Sequence, residues 1–346
     1  MGNLISKMYK GHKNIYNQSY LEREIQTEIY VPQFGTNEDT GILLLVPGYG
    51  ANLNSHVWKR MRNEFSDQYN LITIQCDYFG IKFMDSNIPE ELITIANNKN
   101  ISSATILYDN PLDETLDEFN DMGIMQALDL VTVTLNTIYD LKNLGYIFNI
   151  GKTIIFGSSH GCYLAHLANI ICPNLYTYIF DISAYIYPFY LENTRSLYHK
   201  VDNINIHARF TYFLTKYPEY RYHKSLYDLN FLYNFIENSC KIIIFQGVND
   251  TMVPASQKIE FFEKVKNTEI MLITEEDVDG TLFKNANHGL GLDFFVFFEM
   301  LMPMVKDSFE KKFDLELSEN IIIGNADVYF EISYKTGFPE LIHYTK

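Results

Sequence analysis

Apolar and polar positions along the chain change period several times, and each change marks an element. Glu24 to Tyr30 alternates like a strand with one face in a core. Gly41 to Val46 is a continuous apolar run, as expected of a strand covered on both faces, and it ends in Pro47-Gly48-Tyr49-Gly50. The pattern then predicts a helix through Trp58 and Phe65 and a strand from Leu71 to Cys76. Residues Lys82 to Asn110 lack periodicity and read as an excursion from the sheet. Asp113, Glu114 and Asp121 lead into a long helix, Gly123 to Asn143, and read as a solvated acidic face that favours the helix N-terminus.

Thr153 to Phe156 is a short buried strand that stops at Gly157, and helical spacing resumes after Gly161. Leu175 to Ile182 reads as a further strand. Tyr185 to Asn238, dense in Tyr, Phe and His, breaks the rhythm and reads as a helical insertion over the sheet. Lys241 to Gln246 and Glu269 to Thr274 are strands, with a helix from Ser256 to Lys266 between them. Asp293 to Lys311 is the closing helix, and the alternation of Val328 to Ile332 suggests a small marginal hairpin. These repeated strand–helix units predict a doubly wound, mainly parallel α/β sheet. They fit one domain over residues 1–346, with a lid or cap at 185–239 and a C-terminal β extension at 312–346.

Composition narrows the class. The chain has 346 residues, 47% of them apolar, enough for a substantial core. Its formal charge of −16 argues against nucleic acid or an anionic membrane surface as the main partner. The aromatic content, 26 Tyr and 25 Phe against one Trp, accompanies abundant Asn, Ile and Lys. That is a compositional bias, so most of these tyrosines need no functional account. Cys76, Cys162, Cys172 and Cys240 have neither metal-type nor disulfide-framework spacing. The first residues lack the apolar core of a secretory signal, though Gly2 and Ser6 match the short, often fortuitous myristoylation pattern. Phe294 to Val305 is too short to span a membrane and is interrupted by Glu299 and Pro303. The expectation is a cytoplasmic protein with no cofactor, no metal site and no membrane span; its oligomeric state is not legible.

Gly157-Ser158-Ser159-His160-Gly161 carries the candidate chemistry. It has the G-x-S-x-G form of a nucleophile elbow, a strained turn between strand and helix that exposes a serine oxygen. A serine needs a base and an orienting acid. Of nine histidines, His288 in "NANHGLGLD" lies after the last predicted strand, with Gly289 and Gly291 to let the loop turn. Asp250 in "IIIFQGVNDTMVP" ends a strand in a turn and is the preferred acid, with Asp181 at the end of "YIFD" as its competitor. The oxyanion needs two N–H donors: the backbone of His160, directly after Ser159, and that of Tyr49 in the early Pro-Gly-Tyr-Gly turn. Tyr185, Tyr187, Phe189 and Tyr190, at the start of the aromatic insertion, are the candidate substrate-binding residues.

These pieces together resemble the α/β-hydrolase superfamily over most of residues 41 to 310. "GSSHGCYLA" and "GVNDTMVP" are similar to its prolyl-oligopeptidase-like branch. "FNDMGIMQALDLV", "GSSHGCYLAHLA" and "NHGLGLDFF" resemble more closely a bacterial family known as domain of unknown function 2920. Members of that family are associated with flagellin-glycosylation genes. Cys162 stands where a second glycine would be expected after the elbow histidine. The resemblance implies acyl transfer through an acyl-enzyme on an ester or amide, on a small-molecule or glycan acyl substrate. O-acyltransfer with the same triad, or a non-catalytic hydrolase-fold binding protein, are the alternatives.

Overall fold

The structure is a computed structural model that describes residues 3–17, 22–84, 94, 98, 103–108, 113–201, 204–305 and 308–345. Gly2 of the myristoylation pattern and most of the 82–110 excursion lie outside the described residues. The strands of the first half are β1 (Asn3–Lys10), β2 (Glu24–Val31), β3 (Gly41–Val46), β4 (Leu71–Cys76), β5 (Ser103–Tyr108), β6 (Thr153–Gly157) and β7 (Tyr178–Ile182). Those of the second half are β8 (Arg195–Val201), β9 (Ile204–Phe210), β10 (Lys241–Gly247), β11 (Thr268–Ile273), β12 (Asn320–Gly324), β13 (Val328–Ser333) and β14 (Glu340–Thr345). The longer helices are α1 (His56–Tyr69), α2 (Ile124–Asn143), α3 (His160–Ile171), α4 (Ala255–Lys264) and α5 (Phe294–Val305).

Eight strands form the central sheet in the order β1-β2-β4-β3-β6-β7-β10-β11. β1, β2 and β4 are antiparallel neighbours, and every pairing from β4 onward is parallel. β3, β4, β6 and β7 are buried along their whole length, which explains the apolar runs of β3 and β6 and the mainly apolar sequences of β4 and β7. The doubly wound, mainly parallel sheet is thus as expected. β1 went unpredicted because, as the outermost strand, it buries little beyond Tyr9 and carries no strong apolar face.

Helices cover both faces. Phe65 of α1 stacks on Phe298 of α5 at 4.1 Å between ring centroids, and Phe298 meets Phe156 of β6 edge-on at 4.9 Å. On the other face α2 lies against α3, with Gly123 close to Leu167 and Tyr163, and α4 joins them through Phe261 against His166. The closing helix spans Phe294–Val305 and stops short of Lys311, since Ser308 to Lys312 are not helical. The C-terminal extension is a three-stranded antiparallel sheet, β12-β13-β14, rather than a hairpin. Its Ile323, Phe330 and Leu341 close over Ile124, Leu167 and Ile170 of α2 and α3.

The 185–239 segment differs from a purely helical insertion. Beside short helical turns it contains the hairpin β8–β9, and β5 from the earlier excursion pairs in parallel with β9. Two separate departures from the main sheet are therefore hydrogen-bonded to each other.

The acidic lead into α2 is a solvated face only in part: Asp113 and Asp117 are exposed, but two of its acids are not. Glu114 is 6% exposed and Asp121 is fully buried. Asp121 accepts hydrogen bonds from the Gly123 and Met125 N–H groups, capping α2, and from the Tyr16 hydroxyl. Glu114 accepts from the Asn120 N–H at 3.0 Å and from the Phe213 N–H at 2.8 Å, tying this loop to the 185–239 segment. Burial raises the Glu114 carboxyl from 4.5 to about 7, and that of Asp121 from 3.8 to about 6. Each acid binds its proton more tightly folded than unfolded. The stability they contribute is present in full below the unfolded values and is lost as pH rises through about 6 to 7. The midpoint of thermal unfolding should therefore fall between pH 4.5 and 7.5. Glu114→Gln should lower the midpoint by removing an acceptor but flatten that slope; a slope equal to wild type would refute the assignment.

Candidate active site

β6 delivers the chain into α3 through Ser159, whose φ of 54° and ψ of −115° lie where side chains are rarely tolerated. The flanking glycines make this turn possible. A Cβ on Gly157 would lie 2.5 Å from the Gly161 carbonyl carbon, and one on Gly161 would lie 2.1 Å from the Val46 carbonyl oxygen. Neither position has room for a methyl group. The turn is further fixed by Ser159 N–H donating to the Ile182 carbonyl at 2.8 Å. Ser159 is consequently held half-exposed at the N-terminus of α3, the positive end of the helix dipole.

β10 ends at Gly247, and here too a close approach excludes a side chain: a Cβ would fall 2.1 Å from the Ala286 carbonyl oxygen. That contact brings the turn holding Asp250 against the loop holding His288. The loop reverses through Gly289, Leu290 and Gly291, with φ of 72°, 61° and 56°. His288 Nδ1–H donates to Asp250 Oδ2 at 2.8 Å, and Ser159 Oγ–H donates to His288 Nε2 at 2.7 Å. The three side chains form one continuous chain of hydrogen bonds. Asp250 is itself held by Met252 and Val253 N–H on Oδ1 and by the Gln246 amide on Oδ2. Burial works to raise its carboxyl, but the His288 contact and these donors outweigh it and hold the group below its ordinary value.

Asp181 is not on this imidazole. It lies fully buried at the end of β7, 2.5 Å from Lys258 Nζ of α4, and accepts from His166 Nε2–H at 2.9 Å. Its other oxygen accepts from the Ala184 N–H, fixing the turn that leads to Ser183 and Tyr185. Burial would raise its pKa, yet Lys258 and His166 hold it well below the carboxylate range.

The remaining predicted residues divide. A Cβ on Gly48 would be 2.6 Å from the Ser158 carbonyl oxygen, so the Gly48-Tyr49-Gly50 turn abuts the elbow. The Tyr185 hydroxyl lies 3.5 Å from Ser159 Oγ, the outer limit of a hydrogen bond, and its ring stacks on His288 at 6.1 Å. Phe189 and Tyr190 pack on each other at 4.0 Å and edge-on against Tyr185. Tyr187 is placed differently, with Lys224 Nζ 4.6 Å above its ring. The side chain of His160 points into the core, where Nε2–H donates to Gln126 Oε1 at 2.7 Å. Burial, aided by the nearby Arg195 charge, pushes its pKa down to about 3, so the ring stays neutral.

Sequence reasoning missed Ser183, Gln246 and Arg195. Ser183 Oγ accepts from the Gly289 N–H at 3.0 Å and so seats the His288 loop. Arg195 lies over the Tyr49 ring at 3.4 Å and the Tyr190 ring at 4.5 Å. Only Gln246 carried a signal, as a polar residue that follows the apolar run Ile242 to Phe245 within a strand.

The Asp181–Lys258 pair makes a distinct prediction. Lys258→Met strands a buried carboxylate and should cost about 3–5 kcal/mol in denaturant unfolding. The double variant Asp181→Asn/Lys258→Met should cost less than Lys258→Met alone. Additive losses would show that the two groups are not coupled.

No curated protein matches the sequence. Among solved structures the chain is similar to propionate-bound Est2, a thermophilic esterase from the planctomycete Thermogutta terrifontis. The TM-score is 0.51 at 13% identity, over 89% of this chain and 96% of that one. It is also similar to ferulic acid-bound Est1E from Butyrivibrio proteoclasticus, with TM-score 0.46 and 13% identity over 82% of this chain and 94% of that one. A putative hydrolase from Agrobacterium vitis S4 aligns with TM-score 0.47 and 12% identity, over 89% and 100% of the two chains. At such identities the likeness is one of fold, and the architecture is that of the α/β-hydrolases. Among the described residues no helix is long and apolar enough to cross a membrane. Residues 86–331 match the family model described as "Protein of unknown function (DUF2920)", a span that contains Ser159, Asp250 and His288, and the chain belongs to the DUF2920 family.

Proposed function

We propose that the protein is a serine hydrolase that cleaves an ester or amide through an acyl-enzyme, with Ser159 as nucleophile, His288 as general base and Asp250 as the orienting acid. The observation that carries this reading is the unbroken Ser159–His288–Asp250 hydrogen-bond chain, at 2.7 and 2.8 Å, on a strained elbow. His288 takes the Ser159 proton on Nε2 as Oγ attacks the carbonyl carbon. The Nδ1–H bond to Asp250 holds the tautomer this requires and stabilises the imidazolium that forms. The oxyanion develops beside the N-terminus of α3, and this reading assigns the His160 and Tyr49 backbone N–H groups as its donors. Collapse of the intermediate breaks the bond to the leaving group, which takes the proton from His288. Water, deprotonated by the same imidazole, then attacks the acyl carbon and releases Ser159.

The neutral, deeply buried His160 and the Asp181-bound His166 are unsuited to be the base. That Est2 of Thermogutta terrifontis, a protein of the same fold, is described as an esterase agrees with an ester as substrate. The 185–239 segment, with Tyr185 against Ser159, acts in this reading as a cap over the acyl group.

A fluorophosphonate probe should label Ser159, with labelling lost in Ser159→Ala and kept in Ser158→Ala. On a p-nitrophenyl ester, Asp250→Asn should lower kcat by about 10⁴-fold, and adding it to His288→Ala should cost little more than His288→Ala alone. Labelling at another residue, or full turnover in Asp250→Asn, would refute the mechanism.

A further inference from the structure

Arg195 opens β8 inside the aromatic segment, and only 6% of it is exposed. Such a burial normally comes with a counter-ion. Here, among the described residues, no carboxylate forms an ion pair with it. Other buried cations among the described residues face a carboxylate: Lys258 lies 2.5 Å from Asp181, and Arg62 lies 3.9 Å from Glu28. Glu114, bonded to the Phe213 N–H next to Tyr212, accepts from backbone donors on both oxygens.

What surrounds Arg195 is aromatic. Tyr49 and Tyr190 stack against the guanidinium, at 3.4 and 4.5 Å, and Nη1–H donates to the Tyr212 hydroxyl at 3.1 Å. Nε–H is buried without an acceptor. Ring stacking offsets part of the desolvation of the cation but leaves its in-plane donors for an oxygen pair. The place is functional ground. Tyr49 belongs to the turn that abuts the elbow, and Tyr190 packs on Tyr185, whose hydroxyl reaches Ser159. The charge also acts on His160 and Tyr185.

We propose that Arg195 is the anchor for a carboxylate on the substrate, so that the enzyme acts on acyl compounds bearing an anionic group a short chain away from the scissile bond. This rests on the serine-hydrolase reading above and specifies its substrate class. A guanidinium held by its faces presents its edge, the geometry that receives a carboxylate in two parallel hydrogen bonds. The net charge of −16 sharpens the expectation, because the overall field repels an anionic substrate and only a local cation reverses the preference.

The test compares p-nitrophenyl hydrogen glutarate with its neutral methyl ester, and the succinate and adipate pairs alongside, in wild type, Arg195→Met and Arg195→Lys. The wild-type ratio of kcat/KM, charged over neutral, should exceed one for at least one chain length. Arg195→Met should lower that ratio roughly 10- to 100-fold, the worth of a charge-assisted contact, and Arg195→Lys should restore part of it. Ester turnover with a ratio that is unchanged by either substitution overturns the inference and leaves the hydrolase standing. So does a wild-type ratio below one at every length, which decides the matter even if the variants fail to fold. If neither ester turns over and Ser159 is not labelled, the hydrolase reading falls. Calorimetric binding of glutarate then decides for the anion site: binding by wild type that Arg195→Lys weakens supports it, and no binding overturns it.

Discussion

The structure depends on one steric constraint, the collision avoided where β6 turns into α3. The strand and the helix approach so closely that Gly157 and Gly161 face backbone atoms with no room for a Cβ. Between them Ser159 is left in a conformation unfavourable for a side chain, with φ of 54°. This strain must be outweighed by the surroundings. Every residue of α3 is buried, β6 is buried on both faces, and the Ser159 N–H is bound by Ile182 of the neighbouring strand. The core thus holds a serine oxygen half-exposed at the N-terminus of α3. A looser packing of α3 would let the turn relax, and the serine would fold back.

The same device recurs at the other side of the site. Gly247 at the end of β10 touches the Ala286 carbonyl as closely as Gly161 touches Val46. Ser183, itself at a φ of 53°, holds the His288 loop through Gly289. The buried Asp181–Lys258–His166 cluster anchors the turn from which Ser183 and Tyr185 project. Asp181 therefore bears on the site without touching His288. A residue that looks like a rival acid in the sequence contributes by making the end of β7 rigid.

This explains what was legible in the sequence. Strands buried on both faces are mainly apolar, so β3, β4, β6 and β10 stood out, and the glycines around Ser159 marked a turn with no space. Asp250 and His288 could be found because each follows a strand end in a turn-rich stretch. The edge strand β1 and the pairing of β5 with β9 left little trace, since pairing between distant segments is a property of backbone geometry and not of local pattern. Glu114 and Asp121 were misread for a related reason: charge in a sequence suggests solvent, whereas these carboxylates are buried and satisfied by N–H groups that only the folded chain brings near. Arg195 was invisible among the aromatic residues of its segment.

Those buried charges differ in kind, and the difference bears on function. Asp121 and Glu114 are compensated by backbone donors, and Lys258 by a carboxylate, so each completes a local network. Arg195 has aromatic faces and one tyrosine hydroxyl, and its Nε–H has no acceptor. If its purpose were only to fasten the 185–239 segment to the body, an apolar side chain of similar size would do so without desolvating a cation. Its place against the Tyr49 turn, which also carries the candidate oxyanion donor, means that a ligand bound at Arg195 would touch the same loop as the reacting carbonyl. Binding energy gained at the anion could then orient the acyl group toward Ser159, which is how a contact remote from the chemistry comes to raise turnover as well as affinity.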